Sequence, residues 1–223
     1  ILKNLSVGNE TKNLTVCKGD YLNEDGYCVF NSKKEKTLIL VGDSHMQTLE
    51  KPLLEYANQN KFKLVIINRS ACFYFLDLDL IIKNQLSACT SEYQKKRRKI
   101  ILSQKNAIII LGGRTPHYLS GYDFDNEEGG GKHIKIKGLY YKSHNEKLGA
   151  QSDDKDKLIK HSFNKTITDL LANNLKVILV YPIPEVGWNV SKKLIIKLGL
   201  NLNSLENLFK SRPLTTSHQV FLK

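Results

Sequence analysis

Glycine, aspartate, serine and histidine stand together at Gly42-Asp43-Ser44-His45, directly after the apolar run Thr37–Val41. Met46, Leu49, Leu53, Leu54 and Ala57 then recur at helical spacing. The pattern reads as a buried strand, a tight turn and a helix that begins at Ser44. Backbone N–H groups at a helix N-terminus stabilise an oxyanion and a partly ionised hydroxyl, which suits Ser44 to nucleophilic acyl chemistry. Gly42 lets the chain turn tightly and lets a substrate approach. Asp and Ser are also ordinary helix N-caps, so on these residues alone capping and catalysis both stand. Successive helical residues point about 100° apart. His45 is therefore expected in a structural or supporting role, not as the base for its own neighbour.

The elements that must position this turn follow from the same patterning. Lys63–Ile67, Ala107–Leu111 and Lys176–Tyr181 read as further strands, apolar on both faces. Residues 92–104 and Asp153–Asn173 read as helices, residues 72–91 as irregular and residues 112–150 as a long glycine-containing loop region. Doubly apolar strands alternating with helices call for a parallel sheet covered on both sides, with the site at the carboxyl ends of the strands. His117 falls just past the third strand, where it is open between lining the site and sitting on a surface loop. The domain reading is a lead-in over residues 1–35 and one α/β domain over residues 36–223.

The chain has 34 Lys+Arg against 22 Asp+Glu, a net charge of +12. The basic residues are spread along the chain, and the one dense run, Lys95-Lys96-Arg97-Arg98-Lys99, reads as the solvated face of an amphipathic helix. No stacking aromatics or known motif accompany it, so nucleic acid is not expected as a partner. The isolated histidines support no metal site, and no nucleotide-cofactor motif is present. The apolar runs are far shorter than the roughly 20 residues of a membrane-spanning helix. The four cysteines allow three pairings, or four buried free thiols. The polar, glycine-containing segment from Cys17 to Cys28 has little means of building its own core, which favours the local pairs Cys17–Cys28 and Cys72–Cys89. That places the chain in an oxidising, extracytoplasmic compartment.

Val41-Gly42-Asp43-Ser44-His45 resembles block I of the SGNH/GDSL hydrolase superfamily. More closely, it resembles the SGNH domain fused behind membrane-bound acyltransferase-3 proteins, which O-acylate cell-surface polysaccharides. Ile110-Leu111-Gly112-Gly113-Arg114 with Tyr118-Leu119-Ser120-Gly121, then Phe124–Gly130, then Tyr181–Trp188, resemble later motifs of that subfamily in the same order. The resemblance implies a flavodoxin-like three-layer α/β/α fold with Ser44 as nucleophile and its N–H in the oxyanion hole. Gly42, Asp43, Gly113 and Arg114 would position the oxyanion, and His45, His117, Glu185 and Trp188 would line the site. It further implies a bacterial periplasmic domain, an acyl donor delivered by an N-terminal or separate membrane acyltransferase-3 domain, and a cell-surface glycan acceptor.

The sequence departs from the wider superfamily at three places. Asn68-Arg69-Ser70-Ala71-Cys72 lacks the glycine expected after the second strand, and Gly113-Arg114-Thr115 replaces the asparagine expected after the third. No histidine in the chain has an aspartate three residues before it, so the late Asp-x-x-His is absent. The expectation is a chain that stops before its catalytic Asp and His and before a last strand and helix. Alongside transfer of an acyl group, acetyl in the leading case, two alternatives stand: a carbohydrate esterase of the same fold, and a non-catalytic glycan-binding or scaffold domain.

Overall fold

The structure is a computed structural model and describes residues 15–120, 140–144 and 155–182. In chain order the strands are β1 (Cys28–Phe30), β2 (Thr37–Gly42), β3 (Lys63–Asn68), β4 (Leu78–Ile82), β5 (Gln85–Leu86), β6 (Ala107–Gly112), β7 (Tyr140–Ser143) and β8 (Lys176–Val180). The helices are α1 (Glu50–Gln59), α2 (Ser91–Leu102), α3 (Thr115–Ser120) and α4 (Lys155–Ala172). A short 3₁₀ turn, Met46–Leu49, leads into α1.

The main sheet has the order β1-β3-β2-β6-β8, parallel throughout except for β1, which runs antiparallel to β3. All six residues of β2 are buried, as a central strand apolar on both faces requires. Strand alternation divides its side chains. Ile39 and Val41 pack with Ile101 of α2 and Ile159 and Leu170 of α4, whereas Leu38 and Leu40 pack with Met46 and Ala57 on the α1 side. The result is the expected three-layer α/β/α arrangement with a mostly parallel central sheet. Register is flush at the carboxyl ends: Gly42 lies opposite Asn68 on one side and Gly112 on the other, and Gly112 lies opposite Val180.

Three features differ from the sequence reading. The helix expected to begin at Ser44 begins at Glu50, after the 3₁₀ turn Met46–Leu49. The stretch taken as irregular contains β4 and β5, which join β7 in a separate three-stranded antiparallel sheet. The supposed solvated basic run is also not uniformly solvated, because Arg97 is 1% exposed while Lys95, Lys96 and Lys99 face solvent. Both expected disulfides, Cys17–Cys28 and Cys72–Cys89, are present. The lead-in packs on the domain: β1 extends the main sheet, and the N–H groups of Val16 and Cys17 donate to the buried carboxylate of Glu50 at the start of α1. The expected missing strand and helix concern residues outside those described.

Candidate active site

In the sheet order, the chain leaves β2 to form β3 on one side, then crosses to β6 on the other. The crevice outside β2 and β6 is therefore a topological switch point, where open α/β sheets bind ligands. Asp43-Ser44-His45 leaves β2 at this crevice, and Gly113-Arg114 leaves β6 beside it.

Asp43 joins these two segments. Its carboxylate is 1% exposed. One oxygen, Oδ1, accepts the N–H of His45 at 2.8 Å, the local bond by which aspartate closes a turn on its own backbone. The other, Oδ2, accepts the N–H of Arg114 at 2.7 Å and the hydroxyl of Tyr118, on α3, at 3.0 Å. Burial, then the Asp43 charge, push the Tyr118 phenol far above its ordinary range, so it remains a donor at any physiological pH. It is the Arg114 backbone that meets Asp43. Gly113 permits this approach: a Cβ there would lie 2.8 Å from Asp43 Oδ2 and 2.7 Å from the Phe73 ring. Gly42 is equally constrained, because a Cβ would strike the Gly112 carbonyl oxygen and Met46 Cγ.

Ser44 stands exposed on this rigid base. Among the described residues its hydroxyl makes no hydrogen bond and its N–H has no acceptor. An exposed hydroxyl beside an orphan N–H, on the turn just before the short 3₁₀ segment Met46–Leu49, offers one donor to an oxyanion. His45 is half-buried. No imidazole among the described residues hydrogen-bonds Ser44. His117 sits on α3, its N–H donating to the Arg114 carbonyl at 3.1 Å and its ring edge-on to Tyr118 at 5.7 Å. A small apolar cavity of about 160 Å³ opens at the ends of β6 and β8, lined by residues including Phe73, Gly112, Thr115, Phe163 and Tyr181. Glu185 and Trp188 lie outside the described residues, as do the family-like motif Phe124–Gly130 and most of Tyr181–Trp188.

The description "SGNH domain (fused to AT3 domains)" matches residues 16–221, nearly the whole chain. The chain belongs to that family. Among solved structures, this SGNH domain is similar to one described as the periplasmic domain of a lipopolysaccharide acetyltransferase from Salmonella ser. Paratyphi A, with 14% identity and a TM-score of 0.44. The match covers 83% of this chain and 56% of that one. No curated protein matches the chain. Membership of the family supports an acyl-transfer or esterase-type role.

Two buried residues behind this crevice lay beyond the sequence reading. Tyr118 was part of a recognisable motif, but its bond to Asp43 spans 75 positions and has no local signature. Arg97 was hidden inside a charge run, although Ser91, Gln94, Arg97 and Ile101 recur at helical spacing and all four are buried. In the segment after β3, Ala71 takes a left-handed backbone, φ 53°, a conformation glycine adopts at little cost.

Proposed function

We propose that this SGNH domain transfers an acyl group, acetyl in the simplest case, through an ester on Ser44 to a hydroxyl of a cell-surface polysaccharide. The observation that carries the reading is an exposed Ser44 with an orphan N–H, on a turn locked by Asp43 to the segment after β6. Ser44 Oγ attacks the donor's acyl carbon, and the donor's leaving group departs with the proton that Ser44 gives up. A sugar hydroxyl then attacks the Ser44 ester, forms the acylated glycan and returns a proton to Ser44. The donor is delivered by a membrane acyltransferase-3 domain, in keeping with the fusion that names the family. Two disulfides fit an oxidising, extracytoplasmic setting. No helix among the described residues is long and apolar enough to cross a membrane.

The test is incubation of the full-length protein with an activated acyl ester, with and without glycan, followed by product analysis. Transfer gives a glycan-dependent acylated product that Ser44→Ala abolishes. Release of free acid at the same rate with and without glycan assigns an esterase instead. One observation favours a non-catalytic, glycan-binding reading: among the described residues no imidazole hydrogen-bonds the Ser44 hydroxyl. Glycan binding that persists in Ser44→Ala, with no acylation of the wild type, would decide for that second reading.

A further inference from the structure

Arg97 presents an unusual arrangement. Its guanidinium is 1% exposed, on the face of α2 that packs under the ends of β2 and β3. One terminal nitrogen donates to the carbonyls of Ile67 at 2.7 Å and Gly42 at 3.1 Å. The other donates to the Cys72 carbonyl and to Gln94 Oε1, each at 3.2 Å, and lies 3.8 Å from Cys72 Sγ. The Nε is buried with no hydrogen-bond partner. The rings of Tyr74 and Tyr93 lie 5.3 and 5.6 Å from the guanidinium carbon.

Every polar partner is neutral. Among the described residues no carboxylate lies within ion-pair distance of Arg97. The buried acids nearby are engaged elsewhere, Asp43 with three donors and Glu50 with Val16, Cys17 and Asn68. Burial lowers the Arg97 pKa, but arginine remains protonated in proteins. Buried charges are ordinarily paired, because an unpaired one carries a large desolvation penalty. Helix-to-strand packing would be served by a neutral side chain without that penalty.

The charge lies close to the end of β2. Gly42, whose carbonyl Arg97 holds, is two residues before Ser44. With consecutive Cα atoms about 3.8 Å apart, the cation lies within roughly 10 Å of the serine. We propose that Arg97 is a positioning residue for the Ser44 nucleophile: it fixes the end of β2 through the Gly42 carbonyl and supplies a positive charge, itself without an ion-pair partner, behind the reacting serine, opposite in sign to the Asp43 carboxylate on the same turn. The negative charge that grows during acylation forms on the open side of the same turn and is stabilised by that field. Over roughly 10 Å at an effective dielectric of about 20, the field alone is worth about a tenfold change in rate. This role rests on the acyl-transfer or esterase reading of Ser44.

Two variants of the full-length protein separate field from packing. Arg97→Met removes the charge at similar volume. Gln94→Glu places a carboxylate against the guanidinium and neutralises it in place; it gives up the Gln94 Nε2 bond to the Phe73 carbonyl, so its rate too is taken per folded molecule, and it remains informative if the methionine variant fails to fold. Acylation of Ser44 by an activated ester is followed by intact-mass spectrometry, with rate and KM separated, across pH, and normalised to folded protein. Lys96→Met, on the exposed face of α2, is the control. Both test variants are expected to acylate at least about fivefold more slowly at unchanged KM, with the pH profile displaced upward. A Gln94→Glu rate equal to wild type, or an Arg97→Met rate equal to wild type per folded molecule, overturns the assignment. A wild type that acylates no faster than Ser44→Ala overturns the functional reading itself and the role of Arg97 with it.

Discussion

Replacing Asp43 by asparagine tests whether one buried carboxylate holds the site together. The carboxylate accepts three hydrogen bonds, two from backbone N–H groups and one from a phenol. Asparagine keeps the shape but offers one oxygen and one NH₂. If the oxygen faces His45, the NH₂ confronts the Arg114 N–H and the Tyr118 hydroxyl. If it is flipped, the NH₂ confronts the His45 N–H. The phenol can rotate to accept; a backbone N–H cannot. Either orientation therefore leaves a donor facing a donor and weakens the remaining bonds from charge-assisted to neutral. A lost hydrogen bond to a charged group is worth about 1.5–3 kcal/mol and an unsatisfied buried donor about 1–3 kcal/mol, so a total of roughly 3 kcal/mol is expected. Urea denaturation of wild type, Asp43→Asn, Tyr118→Phe and the double variant measures both the cost and the coupling. Tyr118→Phe is expected to cost about 1.5–3 kcal/mol alone and under about 1 kcal/mol in the Asp43→Asn background. A cost for Asp43→Asn below about 1 kcal/mol, or additive effects in the double variant, would refute the clamp.

Three other perturbations have signs set by the structure. Gly42→Ala pushes a methyl group into the Gly112 carbonyl and Met46, and is expected to lower stability by about 2 kcal/mol or more, read as a fall in Tm. Ala71→Gly releases a left-handed backbone strain of about 1–2 kcal/mol against a glycine entropy cost of about 0.5–1 kcal/mol, so Tm should hold or rise; a clear fall would show that the methyl group packs usefully. Asp79 concerns acid stability. Burial alone would raise its pKa, but the Ser91 N–H, His144 and Lys142 overcome this and hold it below its ordinary 3.8. A depressed carboxyl stabilises the fold fully above the unfolded value and loses that contribution as pH falls through the folded one. Denaturation midpoints for Asp79→Asn should therefore lie below wild type at pH 6, and the difference should shrink below pH 4.

What was legible in the sequence is what depends on local pattern. Thr37–Val41 followed by Gly42-Asp43-Ser44 is apolar on both faces and then abruptly small and polar, which a central parallel strand ending at a site must be. The disulfide pairs were legible because each closes a short loop. The second sheet was not. Its strands Leu78–Ile82 and Tyr140–Ser143 are separated by α2 and β6, and the facing pair Asp79 and Lys142 interrupts the apolar pattern in both. Arg97 was read with its exposed neighbours because a run of five basic residues masks the single position per turn that faces inward. Asp43 illustrates a subtler limit. The helix-cap reading is not what the structure shows: no side chain caps the 3₁₀ turn or α1, and Asp43 instead closes a local turn on the His45 N–H, while its long-range bonds to Arg114 and Tyr118 depend on β6 lying beside β2.

Acyl transfer by this domain requires Ser44 to carry the acyl group. Rapid acid quench of the full-length protein after mixing with an activated acetyl ester, followed by proteolysis and mass spectrometry, locates any ester by residue. An acetyl increment is expected on the peptide containing Ser44, formed faster than the glycan product and absent from Ser44→Ala. Acetylated glycan appearing with no modified Ser44 peptide, or appearing equally in Ser44→Ala, would contradict it.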